Sequence, residues 1–257
     1  MRLPSFLFLF LALLAPALAA RPVSVVVSGG SMMDGDHFAA PTLAPLREHF
    51  AGSRRIALVL HATHPDDRDR MEARLKRAFA HLVGAEAESL HRHDAAGRRR
   101  LLMEADGLFV GGGETFVLLG ELHRTGELDL IRERVLAGVP YLGSSAGANV
   151  AGLLIGTTND FPVAEIPTRA ALGVFPAVIN PHHPRAGEAE HAGRVGKIAA
   201  YLRFNPDHRV LGLANASMAR RHGDEVRIVA GDAWLHTTAG VRALRVGDQV
   251  PELAPKS

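Results

Sequence analysis

The chain contains no cysteine. Disulfides, thiolate metal sites and a cysteine nucleophile are therefore excluded, and the fold must stand on packing alone. Charge of one sign is missing too. Lys and Arg together number 29 against 27 Asp and Glu, a net +2. The basic isoelectric point reflects a slight Arg excess and not a basic face, so nucleic acid is not an expected partner. There is no internal repeat, no low-complexity linker and no second compositional regime, which leaves one domain as the expected organisation. No apolar run reaches the ~20 residues that cross a bilayer.

The first 20 of the 257 residues stand apart. Arg2 supplies a positive start, Phe6–Leu14 is an unbroken apolar run, and Ala17-Leu18-Ala19 offers small residues where a signal peptidase reads. This is the pattern of a secretory leader cut after Ala19 or Ala20, which predicts an exported, periplasmic or secreted protein that does not stay in the membrane. Without cysteine after the run, a lipid anchor is excluded. Residues 21–257 are expected to form a single α/β domain; with 47% apolar and 22% charged residues overall, the composition is globular.

Strand-like and helix-like segments alternate along that domain. Val23–Val27, Ile56–Leu60, Ala85–Leu90, Gly107–Val110, Pro140–Gly143, Val174–Ile179 and Val210–Leu213 read as strands. Helical spacing runs near Pro45–Phe50, over Asp66–Leu82, after an N-cap at Asp94, over Thr115–Glu121 and Leu128–Ala137, and directly after Ser145. The tail, with Glu225–Val229, Ala233–Thr237 and Val241–Val246, predicts an antiparallel extension. Alternation of this kind implies a mostly parallel sheet with helices on both faces, and a ligand site beyond the carboxyl ends of the strands.

Three strand ends carry residues of chemical interest. Gly143-Ser144-Ser145-Ala146-Gly147 fits G-x-S-x-G between a strand and a helix, a turn that forces the central serine outward. It also turns the Ala146 amide toward the site at a helix N-terminus, where negative charge is favoured. Gly111-Gly112-Gly113 follows the strand Gly107–Val110 and offers a second backbone N–H. Asn180-Pro181-His182 places an imidazole after Val174–Ile179, and a serine hydroxyl needs such a base to become nucleophilic. All three are expected on one edge of one sheet. Each has a plain alternative: a flexible turn for the glycines, a surface or core residue for one of 14 histidines.

Together, Gly111-Gly112-Gly113-Glu114-Thr115-Phe116, Gly143-Ser144-Ser145-Ala146-Gly147-Ala148-Asn149, Thr157-Thr158-Asn159-Asp160 and Ile179-Asn180-Pro181-His182 resemble the dipeptidase E family of serine peptidases. The resemblance runs in order from about residue 107 to 215. It implies a three-layer α/β/α, doubly wound, flavodoxin-like fold similar to class I glutamine amidotransferases. It also implies hydrolysis of short peptides, dipeptides with N-terminal aspartate, without metal or other cofactor. By motif match Ser145 would be the nucleophile, His182 the base, and the amides of Gly113 and Ala146 the oxyanion hole. Arg194, Asn149 and Thr158 would bind substrate. Cyanophycinases share the fold and the Ser-Ala-Gly-Ala core, but Asn149 and the Thr-Thr-Asn-Asp run look more like dipeptidase E.

The chain departs from the family where the triad acid should follow the strand Val210–Leu213: Asn215 stands there, and Asp160 is the other candidate for the charge. Gly156 and His191-Ala192-Gly193 also differ from the family's pattern around its substrate arginines. Asn215 keeps open a catalytically impaired, peptide-binding homologue. A zinc deacetylase is the rival raised by His64-Pro65-Asp66-Asp67, with His61, His91, His93 and His183 as further ligands; the simpler reading is an acidic helix cap. An α/β-hydrolase esterase would use a late histidine such as His236. No oligomeric state follows from the sequence.

Overall fold

The structure, a computed structural model, describes residues 21–254; the leader expected over residues 1–20 lies outside the described residues. The strands are β1 (Ser24–Ser28), β2 (Met33–Asp34), β3 (His37–Phe38), β4 (Arg55–Val59), β5 (Glu86–Ser89), β6 (Gly107–Val110), β7 (Tyr141–Ser144), β8 (Val178–Asn180), β9 (Val210–Leu213), β10 (Met218–His222), β11 (Glu225–Ala230), β12 (Ala233–Thr237) and β13 (Gly240–Leu244). The helices are α1 (Ala40–His49), α2 (Arg68–Val83), α3 (Ala95–Glu104), α4 (Thr115–Thr125), α5 (Glu127–Leu136), α6 (Ala146–Ala151) and α7 (His191–Phe204).

A seven-stranded sheet in the order β11-β10-β1-β7-β6-β4-β5 forms the centre. Its five strands from β1 to β5 are parallel, and β10 and β11 extend it antiparallel. Successive side chains of a strand point to opposite faces, and here both faces are apolar. Val25, Val27, Ala57, Val59, Leu108 and Val110 pack under α3, α4, α5 and α6. Val26, Ile56, Leu58, Phe109 and Leu142 pack under α1 and α2. Continuous apolar strands covered on both sides are what a parallel sheet requires. The result is the expected α/β fold with helices on both faces.

The prediction of one sheet carrying all three motifs fails. β8 and β9 belong to a separate four-stranded sheet, β13-β12-β9-β8. Its strands are as apolar as those of the main sheet, so periodicity could not separate the two; pairing did. The predicted strand Val174–Ile179 is paired only over Val178–Asn180. β10 and the β2–β3 hairpin were not anticipated, being Arg-rich or only two residues long per strand.

The two sheets meet where β1 ends. The Ser145 amide donates to Ser28 O at 3.1 Å, the His182 amide to Gly29 O at 3.0 Å, and the Ala216 amide to Gly30 O at 2.7 Å. The loop after β1 thus ties the ends of β7, β8 and β9 together.

Candidate active site

Ser145 occupies the turn between β7 and α6 with φ 53° and ψ −109°. For a residue with a side chain this backbone is costly, on the order of 1–3 kcal/mol, and persists only where packing over-determines it. Gly147 supplies that packing: a Cβ there would lie 2.0 Å from Val110 O, so the first turn of α6 sits directly on β6. Tyr141, fully buried, donates its hydroxyl to Gly147 O at 2.7 Å and braces the same turn. Among the described residues the non-glycine positions with positive φ are Ser31, Ser145, His182 and Ala216, all at this junction. Strain gathered in this way marks functional sites.

The turn presents Ser145 Oγ to His182 Nε2 at 2.8 Å. On the far side of the ring, His182 Nδ1 lies 2.6 Å from Asn215 Oδ1. A side-chain carbonyl oxygen can only accept, so Nδ1 carries the proton and Nε2 keeps a lone pair for the serine hydroxyl. The arrangement can therefore take a proton from Ser145. Gly30 makes room for the ring. With φ +101° it holds no side chain, and a Cβ would fall 2.3 Å from His182 Cε1.

Glycine backbone packs against the same serine. Gly112 comes closest, since a Cβ on it would stand 3.0 Å from Ser145 Cβ. Gly113 follows at φ +130°, folded against Ala62 O. Neither amide has an acceptor among the described residues. Ala146, the first residue of α6, has one of the N–H groups a helix leaves without an internal partner. These amides can receive an oxyanion.

Other predicted residues lie elsewhere. Asp160 Oδ2 accepts the Thr115 amide at 2.9 Å, at the start of α4, while both nitrogens of His182 are engaged by Ser145 and Asn215. Asn149 and Thr158, expected to bind substrate, are turned inward. Asn149 Nδ2 donates to Thr115 Oγ1 at 3.3 Å and to Thr158 Oγ1 at 3.4 Å, tying α6 to α4. Arg194 lies under the loop that carries His182. Its Nη1 donates to Asn180 Oδ1 at 3.0 Å and approaches the carbonyls of Pro181 and His182 at 3.4 Å. It does not line the cavity around Ser145.

That cavity measures about 430 Å³ and is lined by Gly30, Gly112, Gly113, Ser145 and His182. Its apolar lining includes Met32, Met33, Met71, Leu75 and Phe109, and Arg74 also borders it. The role of Gly29-Gly30, and of this wall from the hairpin and α2, was missed by the sequence reading. The only available signal was Arg74 three residues after Met71 on an apolar helix face.

The histidines proposed as zinc ligands have separate partners. His64 Nδ1 faces the Asp66 amide at 3.4 Å, His61 meets Glu127 at 2.6 Å and His93 meets Glu88 at 2.8 Å. The buried His183 pairs with His236, Nε2 to Nε2 at 3.1 Å, and donates from Nδ1 to Pro184 O. That removes His236 from the serine and with it the late-histidine arrangement. Burial holds both rings down at a pKa of about 4. The one group of metal-type ligands among the described residues, Asp69, Glu72 and His91, excludes the His-Pro-Asp-Asp motif. Arg92 and Lys76 already pair with its two carboxylates, Arg92 reaching Asp69 at 2.9 Å and Glu72 at 2.6 Å and Lys76 reaching Glu72 at 3.4 Å.

A parallel α/β sheet with a serine on a strained strand-to-helix turn, a histidine on its hydroxyl and backbone amides around it defines a serine hydrolase. The chain belongs to peptidase family S51, whose pattern matches residues 25–229, and it is a serine-type peptidase. It is similar to peptidase E of Shewanella amazonensis, with 37% identity over 191 residues covering 74% of this chain and 79% of that one. Peptidase E of Pasteurella multocida is 34% identical over 210 residues, covering 80% and 88%. The crystal structure of a peptidase from an acI-B1 actinobacterium has the same fold, with a TM-score of 0.66 at 15% identity over 90% of this chain and 98% of that one.

Proposed function

We propose that this peptidase hydrolyses short peptides, foremost dipeptides with N-terminal aspartate, through an acyl-enzyme on Ser145, and that it does so after export. The observation that carries the reading is the 2.8 Å contact between Ser145 Oγ and His182 Nε2 at a strained turn. Ser145 Oγ attacks the peptide carbonyl as its proton passes to Nε2. The amides of Ala146, Gly112 and Gly113 receive the negative charge of the tetrahedral intermediate. Nε2–H then protonates the departing amine, leaving an ester on Ser145. Water, deprotonated by the same nitrogen, cleaves that ester. A cavity of about 430 Å³ suits a ligand of a few residues and not a folded chain. The peptidase E relatives support the same substrate size, and the leader over residues 1–20 supports export.

Asn215 favours a slow member of the family. A neutral amide fixes the ring but gives the imidazolium no opposite charge. Whether Ser145 is activated is decided by exposing secreted and periplasmic fractions of producing cells to a fluorophosphonate, then mapping the labelled chain by mass spectrometry. The adduct should sit on Ser145 of a chain beginning at Ala20 or Arg21. Ser145→Ala should lose the label and Asp-Leu hydrolysis with Tm essentially unchanged. Turnover retained in that variant would sink the mechanism; a label on a chain still carrying residues 1–19 would sink the export.

A further inference from the structure

We propose that Arg74 is the residue that receives a carboxylate of the dipeptide substrate, on the aspartate side chain or at the C-terminus. The inference deepens the function proposed above and rests on it. It starts from a mismatch. Arg194, the arginine expected for that task, is spent on Asn180 Oδ1 and two loop carbonyls beneath His182, and lines no part of the cavity at Ser145. An acidic substrate still requires a cation, because a carboxylate placed against Met32, Met33, Met71, Leu75 and Phe109 without one would lose its hydration uncompensated. Among the described residues lining this cavity, Arg74 and His182 are the only ones with a basic side chain. His182 is occupied by Ser145 and Asn215.

Arg74 is built for the role. It projects from α2, one turn from Met71 and beside Leu75, so its stem lies along the apolar wall while its head reaches the rim. Nε and Nη2 both donate to Gly35 O in the loop of the β2–β3 hairpin. That holds the guanidinium plane in place before ligand arrives. Nη1 has no acceptor among the described residues, so a fixed fork remains to face a carboxylate. The nearby acid is already taken: Asp36 is held bidentately by Arg77 at 2.9 and 3.0 Å, which keeps its carboxyl below the usual range, and stands 4.0 Å from Arg74. Arg74 also lines the adjoining cavity of about 830 Å³, together with Thr63, Met71, Gly112 and Gly113. The charge therefore sits where the two spaces join.

A dipeptide with N-terminal aspartate has two carboxylates, on the side chain and at the C-terminus. Binding separates them. In the Ser145→Ala background, calorimetry with Asp-Leu, Asn-Leu and Asp-Leu-amide gives Kd without turnover, so the outcome is independent of whether Ser145 is an active nucleophile. That question is answered separately by the fluorophosphonate label. Arg74→Gln should weaken Asp-Leu at least about tenfold, the scale of one charge-assisted pair. It should also collapse one preference: Asp-Leu over Asn-Leu if the side-chain carboxylate is held, Asp-Leu over Asp-Leu-amide if the terminal one is. Arg74→Lys, which keeps charge without the fork, should fall between. Unchanged ratios in Arg74→Gln, no binding of Asp-Leu at all, or collapse of a ratio in Arg194→Gln instead would overturn the assignment. Weaker binding of all three peptides by one common factor, with a lowered Tm, would assign Arg74 to holding the hairpin and overturn it too.

Discussion

At the scale of single residues, the contact that sets this chain apart is His182 Nδ1 to Asn215 Oδ1 at 2.6 Å. The amide fixes the ring's tautomer, so the geometry of proton transfer is intact. What it lacks is the charge that would stabilise the imidazolium as Ser145 gives up its proton. Asn215→Asp keeps the shape and adds that charge. It should raise kcat on Asp-Leu at least about tenfold, ~1.4 kcal/mol of barrier. KM should change less, because this contact does not touch the substrate. An acid beside the ring also favours its protonated form, so the acidic limb of the kcat/KM profile should move to higher pH. A kcat unchanged across the pH profile would mean that the charge at this position does not limit the reaction.

At the scale of elements, the site is a meeting of loop ends. The segment Thr157–Asp160, which resembles a catalytic motif in sequence, serves packing here. Asp160 accepts the first amide of α4, and Thr158, Thr115 and Asn149 bond to one another beneath it. A carboxylate at a helix N-terminus is worth about 0.3–1 kcal/mol, and up to ~2 kcal/mol when partly buried. Asp160→Asn should accordingly lower Tm by a few degrees while kcat stays within about twofold, read by calorimetry and steady-state kinetics on the same preparation. A large loss of kcat with Tm unchanged would put Asp160 back in the proton relay.

At the scale of the whole molecule, three buried histidines, His49, His183 and His236, make its stability sensitive to acid. His49 is buried between Ser24 and Tyr141 O, and burial holds its pKa down at about 3. His183 and His236 are buried against each other and Trp234, both at about 4. Positive neighbours act in the same direction: Arg220 and His222 on His49, Arg194 and His191 on His183, and His191 on His236. The unfolded chain binds protons at these rings near pH 6.5, whereas the folded chain refuses them until about pH 4 or below. Between those limits the unfolded state holds more protons, so stability rises with pH and is lost as pH falls below about 6.5. Tm should drop steadily from pH 7.5 to 5, above the range where ordinary carboxylates titrate, and His49→Gln should flatten the slope. A Tm flat over that interval would show that these rings are protonated without cost in the folded state.

What the sequence determined by itself is local. Runs of β-branched and aliphatic residues fixed β1, β4, β6 and β9 to within a residue or two, and Asp94 was legible as the cap of α3, its Oδ1 accepting the Gly97 amide at 2.8 Å. The glycines around Ser145 were legible because only that spacing permits a tight strand-to-helix turn. Asn215 was visible as the residue standing where the resemblance expects an acid. The tertiary structure decided what depends on partners distant in the chain. It put His182 and Asn215 on a second sheet, since equally apolar strands carry no mark of which neighbour they will pair with. It turned Arg194 under a loop and brought Arg74 to the cavity, since an arginine's donors go to whichever carbonyls and carboxylates the fold places within reach. It gave Gly30 its purpose as well, because the space kept empty there is filled by the ring of His182, a residue 152 positions later.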